Sequence, residues 1–277
     1  MLFGLPAGEV FLLAAAIITG GIFTGLLAGL LGVGGAAITV PVLYELFLFL
    51  GVPDEVRMQL CIGTSLAVIV PVSIRSFLAH RSKSVVRTNV LRVWAIPVVL
   101  GVVSGSIVAY YAPASFFKLV FVMFGYIIGL KHLFGGGDWK FGNKLPKTPI
   151  LVPVGYVIGL ISSLIGVAGG ALSTLFLTLF GETIHVAIAT SSGLGFLISV
   201  PGTIGYMIAG WPQQALLPPF SVGYVSFLGL ALFAPASVLA TPYGARLAHY
   251  LSRRKLEIAF GLFLVSVATR FLASLLL

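Results

Sequence analysis

The chain has 277 residues, 59% of them hydrophobic and 8% charged, with a formal net charge of +9 and a mean hydropathy of +1.14. That composition excludes a soluble globular domain, and the long continuous apolar runs exclude a closed β-barrel, whose strands alternate in short segments. In such a chain basic residues mark cytoplasmic loops, so the positive charge does not point to nucleic acid.

Apolar runs bounded by polar residues or by Gly and Pro predict ten helical segments, at 9–31, 36–50, 60–80, 90–111, 116–134, 149–165, 170–180, 185–209, 218–240 and 256–277. The longer ones match a hydrocarbon core of roughly 30 Å. The fold class is therefore an all-α polytopic membrane protein with about 8–10 transmembrane segments. The first segment is expected to be retained, because a cleavable signal carries basic residues ahead of its apolar core and the first basic residue here is Arg57. The single cysteine, Cys61, excludes an internal disulfide and provides no metal-ligand set, and no cofactor is expected. Residues 135–148, rich in Gly, Pro and Lys, read as a linker between a first half at 1–134 and a second at 149–277.

Charge orients these segments. Arg81, Lys83, Arg87 and Arg92 lie between the third and fourth segments, Lys131, Lys140, Lys144 and Lys147 lie about the linker, and Arg246, Arg253, Arg254 and Lys255 precede the last segment. Together they are 12 of the 16 basic residues, and they fall on one side if the crossings alternate. The positive-inside rule makes that side cytoplasmic and places both termini outside the cell's inner membrane. Trp94, Trp139 and Trp211, at segment ends, fit interfacial anchors.

The halves repeat one another. Gly32-Val33-Gly34-Gly35-Ala36 aligns with Gly166-Val167-Ala168-Gly169-Gly170, and Gly25 with Gly159, each 134 positions apart. Thr64-Ser65 aligns with Thr190-Ser191, and Gly105, Ala109, Tyr111 and Phe121 align with Gly244, Ala248, Tyr250 and Phe260. Five segments per half is an odd number, so two repeats in series are inverted, as in many secondary transporters.

The second and seventh segments span about 22 and 16 Å at 1.5 Å per residue, too little for a full crossing. Each follows a glycine cluster, which predicts broken or re-entrant helix pairs with the break at membrane depth, where irregular backbone must line a cavity or be buried in protein. The N–H groups at the start of these short helices form an anion site, and glycine lets a ligand approach the backbone. The alternative is that the glycines serve close helix packing. Thr64, Ser65, Thr190, Ser191 and Ser192 either complete an anion's hydrogen-bond shell or cap and back-bond their own helices. Pro71 and Pro201 are expected to bend the third and eighth segments.

Arg75 is read as the basic residue placed well inside an apolar run. Its guanidinium suits the oxygens of a sulfonate or carboxylate, or else it snorkels toward the nearby cytoplasmic end. Glu45 and His185 are candidates for proton coupling. Small residues in the third, fourth and ninth segments permit a homodimer.

The elements GLLAGLLGVGGA (25–36) and GLISSLIGVAGG (159–170), GTSLAVIV (63–70) with ATSSGLG (189–195), and AHRSKSVV (79–86) resemble the TauE/SafE family of sulfite and organosulfonate exporters. The resemblance covers nearly the whole chain and implies export of a small sulfur-containing anion such as sulfite or sulfoacetate. It implies ligand positions at Gly34, Gly35, Gly169, Gly170, Thr64, Ser65, Thr190 and Ser191, with Ala36, Ser192 and Arg75 beside them from the reading above. Where relatives commonly carry an acidic-aromatic pair after the first basic loop, this chain has Thr88-Asn89, which weakens any coupling through a carboxylate there. The expected partners are thus a small anionic substrate and the lipid bilayer. A secondary transporter working by alternating access is the first expectation, an anion channel or a transporter of another small organic anion the alternative. An enzyme would need an intramembrane cluster of titratable groups, and the seven acidic residues, mostly at segment ends, form none.

Overall fold

The computed structural model describes residues 7–31, 36–81, 86–134, 142, 144–248 and 253–276. Among them are ten α-helices: α1 (Ala7–Leu31), α2 (Ala36–Phe49), α3 (Asp54–Arg81), α4 (Thr88–Tyr111), α5 (Ala114–Phe134), α6 (Thr148–Ile165), α7 (Gly170–Leu179), α8 (Ile184–Ala209), α9 (Phe227–Ala248) and α10 (Arg253–Leu276). Seven of them, α3 to α6 and α8 to α10, are long and apolar enough to cross a membrane; α2 and α7 are shorter apolar helices. The chain is a multi-pass membrane protein.

Two helix starts differ from the sequence expectation. The α3 helix begins at Asp54, ahead of the first apolar residues, because Asp54 and Glu55 occupy its first turn, where carboxylates face the positive end of the helix dipole. The α9 helix begins at Phe227 rather than near 218. The intervening chain forms a 3-10 turn, Trp211–Leu216, and a two-stranded antiparallel hairpin pairing Ser221 with Ser226 and Val222 with Val225. Gln214 closes this hairpin: its Nε2 donates to the Ser221 carbonyl at 2.6 Å and its Oε1 accepts the Gly223 N–H at 2.9 Å. Ser226 then caps α9, its Oγ accepting the Gly229 N–H at 3.1 Å.

Helix pairing follows a regular scheme. The α1 helix lies along α9 and α4 along α6, while α5 pairs with α10 and α3 with α8. Replacing each helix by the one five places later turns the α1–α9 pair into the α6–α4 pair and returns the other two to themselves. Contact chemistry follows the same exchange. A Cβ placed on Gly25 would run into the Ser237 carbonyl oxygen on α9, and one on Gly159 into the Val98 carbonyl oxygen on α4. Small residues let these backbones touch where lipid offers no hydrophobic drive to association. The α3 span is the most buried, 78% against 28–50% for the other six, so α3 lies at the centre, with α8 packed along it.

Candidate anion-binding site

The α6 helix stops at Ile165 because Gly166 adopts the left-handed conformation, φ 72° and ψ 35°, which carries no Cβ penalty for glycine. Val167 N–H folds back to the Ser162 carbonyl at 3.0 Å. Gly169 is again left-handed, φ 69°, and starts α7. The α7 helix has 10 residues, about 15 Å of rise, half a hydrocarbon core. Its end lies beside the chain leading into α6, since Gly142 N–H donates to the Leu179 carbonyl at 3.3 Å. The α6–α7 pair therefore goes in and comes back.

The first N–H of α7 with a partner in the helix is that of Ser173, which donates to the Gly169 carbonyl at 2.9 Å. The N–H groups of Gly170, Ala171 and Leu172 have no carbonyl within the helix to reach. Space is distributed unevenly around them. A Cβ on Gly169 would strike Ile198 Cδ1 and come within 3.1 Å of Ser162 Oγ, whereas one on Gly170 would enter open space. The start of α7 thus combines unpaired donors, the positive end of a helix dipole and room beside the backbone.

Hydroxyls surround this point. Ser162, on the last turn of α6, is fully buried, and its Oγ has no hydrogen-bond partner among the described residues. Ser173 Oγ donates to the Gly169 carbonyl at 2.7 Å and lies 2.8 Å from Ser191 Oγ on α8; Thr174 Oγ1 is 2.9 Å from the same Ser191 oxygen. From the first half of the chain, Ser65 Oγ donates to the Gly166 carbonyl at 2.7 Å. The break in the second half is thus held by a side chain of the first.

The two threonines have another partner. Thr64 Oγ1 accepts the N–H of Ser226 at 3.0 Å, at the start of α9, and Thr190 Oγ1 accepts the N–H of Arg87 at 3.0 Å, at the start of α4. Each holds the residue just ahead of a helix in the opposite half, and each still has its own proton to donate. Ser192 bonds within its own helix, Oγ to the Ala189 carbonyl at 2.8 Å, and is not brought to the α7 terminus. Arg87 is tied twice, its guanidinium pairing with Glu182 at 3.0 Å.

Gly34 and Gly35 lie outside the described residues. Ala36 opens α2, Arg75 lies in α3 and His185 in the first turn of α8, with side chains outside the described residues. Glu45, on α2, pairs with Arg270 on α10 at 3.5 Å, both about half exposed.

Two groupings were not read from the sequence. Ser162, Ser173 and Thr174 look in sequence like ordinary small residues of apolar helices; the usable signal was that Ser173 stands one turn after the Gly169-Gly170 break. The second grouping is charged. Lys118 on α5 is 2% exposed and its Nζ lies 2.8 and 2.9 Å from the carboxylate oxygens of Asp54, which also accepts from Tyr44 Oη at 3.0 Å and Arg57 Nη1 at 3.2 Å. Arg57 also donates twice to the Val52 carbonyl. Removing Asp54 would leave the buried Lys118 ammonium without its carboxylate, although Asp54 itself is 57% exposed.

A model of the family described as sulfite exporter TauE/SafE matches residues 17–271 of this chain. A probable membrane transporter protein of Haemophilus influenzae is 30% identical over 250 residues, 90% of this chain and 94% of that protein. One of Methanocaldococcus jannaschii is 26% identical over 251 residues, covering 90% and 92%, and the probable membrane transporter protein YunE of Bacillus subtilis is 27% identical over 222 residues, covering 72% and 81%. No solved structure matches the chain.

Proposed function

Since this chain belongs to the sulfite exporter TauE/SafE family and is a membrane transporter, we propose that it exports a small sulfur-containing oxyanion, such as sulfite, sulfoacetate or a related organosulfonate, by alternating access across the inner membrane. The observation that carries this reading is the start of α7: a half-buried helix terminus with open space at Gly170, a buried hydroxyl at Ser162 with no partner among the described residues, and the Ser173, Thr174 and Ser191 hydroxyls alongside. An oxyanion placed there accepts from the N–H groups of Gly170, Ala171 and Leu172 and from the Ser162 and Ser191 hydroxyls, whose protons are not given to another group. Charge-assisted hydrogen bonds of this kind are about twice as strong as neutral ones, which offsets the loss of the anion's water.

The location fits a transport cycle. The break of the second half rests against the first half through Ser65 and the Gly166 carbonyl, and inverted-repeat transporters place their sites at such a contact between halves. The exchange relation among helix pairs and the parallel roles of Thr64 and Thr190 support an inverted duplication, with 1–134 and 149–277 as its repeats. Rocking of one half on the other would then expose the α7 terminus first to one side and then to the other. A membrane potential negative inside favours exit of each negative charge by about 2.3 kcal/mol at 100 mV, so net export proceeds without a coupled ion. In this scheme Gly34, Gly35 and Ala36 supply the first-half counterpart of the terminus and Arg75 guides the anion from the cytoplasm. Glu45 is held by Arg270, so any proton role for it requires that pair to open; His185 is the other candidate.

Radiolabelled sulfite and sulfoacetate flux in proteoliposomes, with and without a pH gradient, tests the reading. Saturable flux that follows an imposed potential and ignores the pH gradient is expected, with Ser162→Ala raising the concentration for half-maximal flux. Flux that rises without saturation would instead identify a channel, and no flux of either anion in folded protein would overturn the substrate class.

A further inference from the structure

The α6–α7 pair encloses more than a turn. The two helices line a groove of about 390 Å³, walled on α6 by Val154, Val157 and Ile161 and on α7 by Leu172, Leu175 and Phe176. Its size is that of a small-molecule site, yet its walls are apolar throughout and offer water no partner. Trp94 of α4 touches both helices. Its indole fills the notch at Gly155 of α6, donates to the Leu151 carbonyl at 2.8 Å, and meets the Phe176 ring of α7 at 5.8 Å.

One end of the groove carries charge. The Gly142 N–H bond to the Leu179 carbonyl, at 3.3 Å, pins the linker to the last residue of α7. The chain then crosses to α6, which begins at Thr148 with Lys147 as its N-cap. Lys144 and Lys147, on this short crossing, are both exposed. Pro153 and Leu179 also line the groove, and Pro153 stands six residues from Lys147, about 9 Å along the helix. An apolar slot at membrane depth thus ends under two cations at the membrane surface.

We propose that this groove holds one acyl chain of an anionic phospholipid whose phosphate sits on Lys144 and Lys147. The apolar walls take the chain, and lysines at an interface attract anionic headgroups. The deep end of the groove includes Ile158, whose Cγ2 lies 3.4 Å from a Cβ placed on Gly169. The lipid would therefore back the same break that opens α7.

Photolabelling of the reconstituted full chain tests this without any transport readout. The probe is phosphatidylglycerol with a diazirine at mid-chain, in phosphatidylcholine bilayers, with labelled peptides mapped by mass spectrometry. Label concentrated on residues 154–161 and 172–176, competed at least fivefold better by phosphatidylglycerol than by phosphatidylcholine, is expected. Val157→Trp, which fills the groove, should move the label elsewhere, and Lys144→Glu with Lys147→Glu should abolish the headgroup preference while leaving chain labelling. Label spread evenly over every lipid-facing helix, or unmoved by Val157→Trp, overturns the proposal. So does an unlabelled groove in a chain whose Val157→Cys variant cross-links to a second copy, which would make the groove a subunit interface.

Discussion

Gly159 and Gly170 lie on either side of one helix end, and they do opposite things. At Gly159 the missing side chain lets α6 touch the backbone of α4, with the Val98 carbonyl where a Cβ would be. At Gly170 the missing side chain leaves open space at the first residue of α7, where backbone N–H groups have no partner within the helix. One glycine is filled by the protein and the other is left for something else. Close backbone packing and open space beside the backbone thus both occur within a single twelve-residue element.

Leucine at each position separates them. Gly159→Leu forces four carbons into an α4–α6 backbone contact and is expected to cost more than about 3 kcal/mol, so the protein should lose its monodisperse peak in mild detergent. Gly170→Leu has space for its side chain and an ordinary helical backbone, and leucine favours a helix over glycine by nearly 1 kcal/mol. It should fold with an unchanged or raised Tm, yet bring anion flux to the level of empty liposomes. A folded, active Gly159→Leu would show that the crossing tolerates separation. Normal flux through Gly170→Leu would remove the α7 terminus from the anion's path.

Much of this comparison was legible beforehand. The ten apolar segments correspond to the ten helices, because lipid demands continuous apolar runs and a chain cannot conceal them. The glycine break before residue 170 was visible because two short segments could not cross a bilayer. Helix starts at Asp54 and Phe227 were not, since they depend on a dipole-facing carboxylate pair and on a hairpin closed by one glutamine, signals unrelated to hydropathy. The Asp54–Lys118 pair was illegible for a different reason: its partners are 64 residues apart and only the α3–α5 packing brings them together. Hydroxyls fell between these cases. A serine in an apolar helix bonds back to its own carbonyls or reaches a neighbour, and sequence does not say which.

Lysine 118 gives the next effect in size. Lys118→Met keeps much of the side-chain volume but leaves Asp54 with Arg57 and Tyr44 alone. Removing one partner of a buried pair costs about 3–5 kcal/mol; here the Asp54 side chain is 57% exposed, so solvent screening reduces the loss to about 1–2 kcal/mol. A fall of several degrees in Tm is expected, with the substrate concentration for half-maximal flux unchanged because the pair lies away from the α7 terminus. A rise in that concentration would place the cluster on the anion's route.

The finest version of the comparison uses adjacent residues. Ser191 and Ser192 carry the same side chain on the same helix, but Ser191 Oγ meets the Ser173 and Thr174 hydroxyls of α7 while Ser192 Oγ returns to the Ala189 carbonyl of its own turn. Ser191→Ala removes the oxygen that orders both α7 hydroxyls; losing a hydrogen bond to a charged ligand costs about 2 kcal/mol, roughly a 30-fold rise in the concentration for half-maximal flux. Ser192→Ala gives up only a local back-bond, a change within about 0.5 kcal/mol, and less than about threefold in the same measurement. Concentration-dependent flux of the two variants side by side checks the pair. Equal effects would mean that the anion reads this turn of α8 as a whole, and then the hydroxyls on α7 do not define the site.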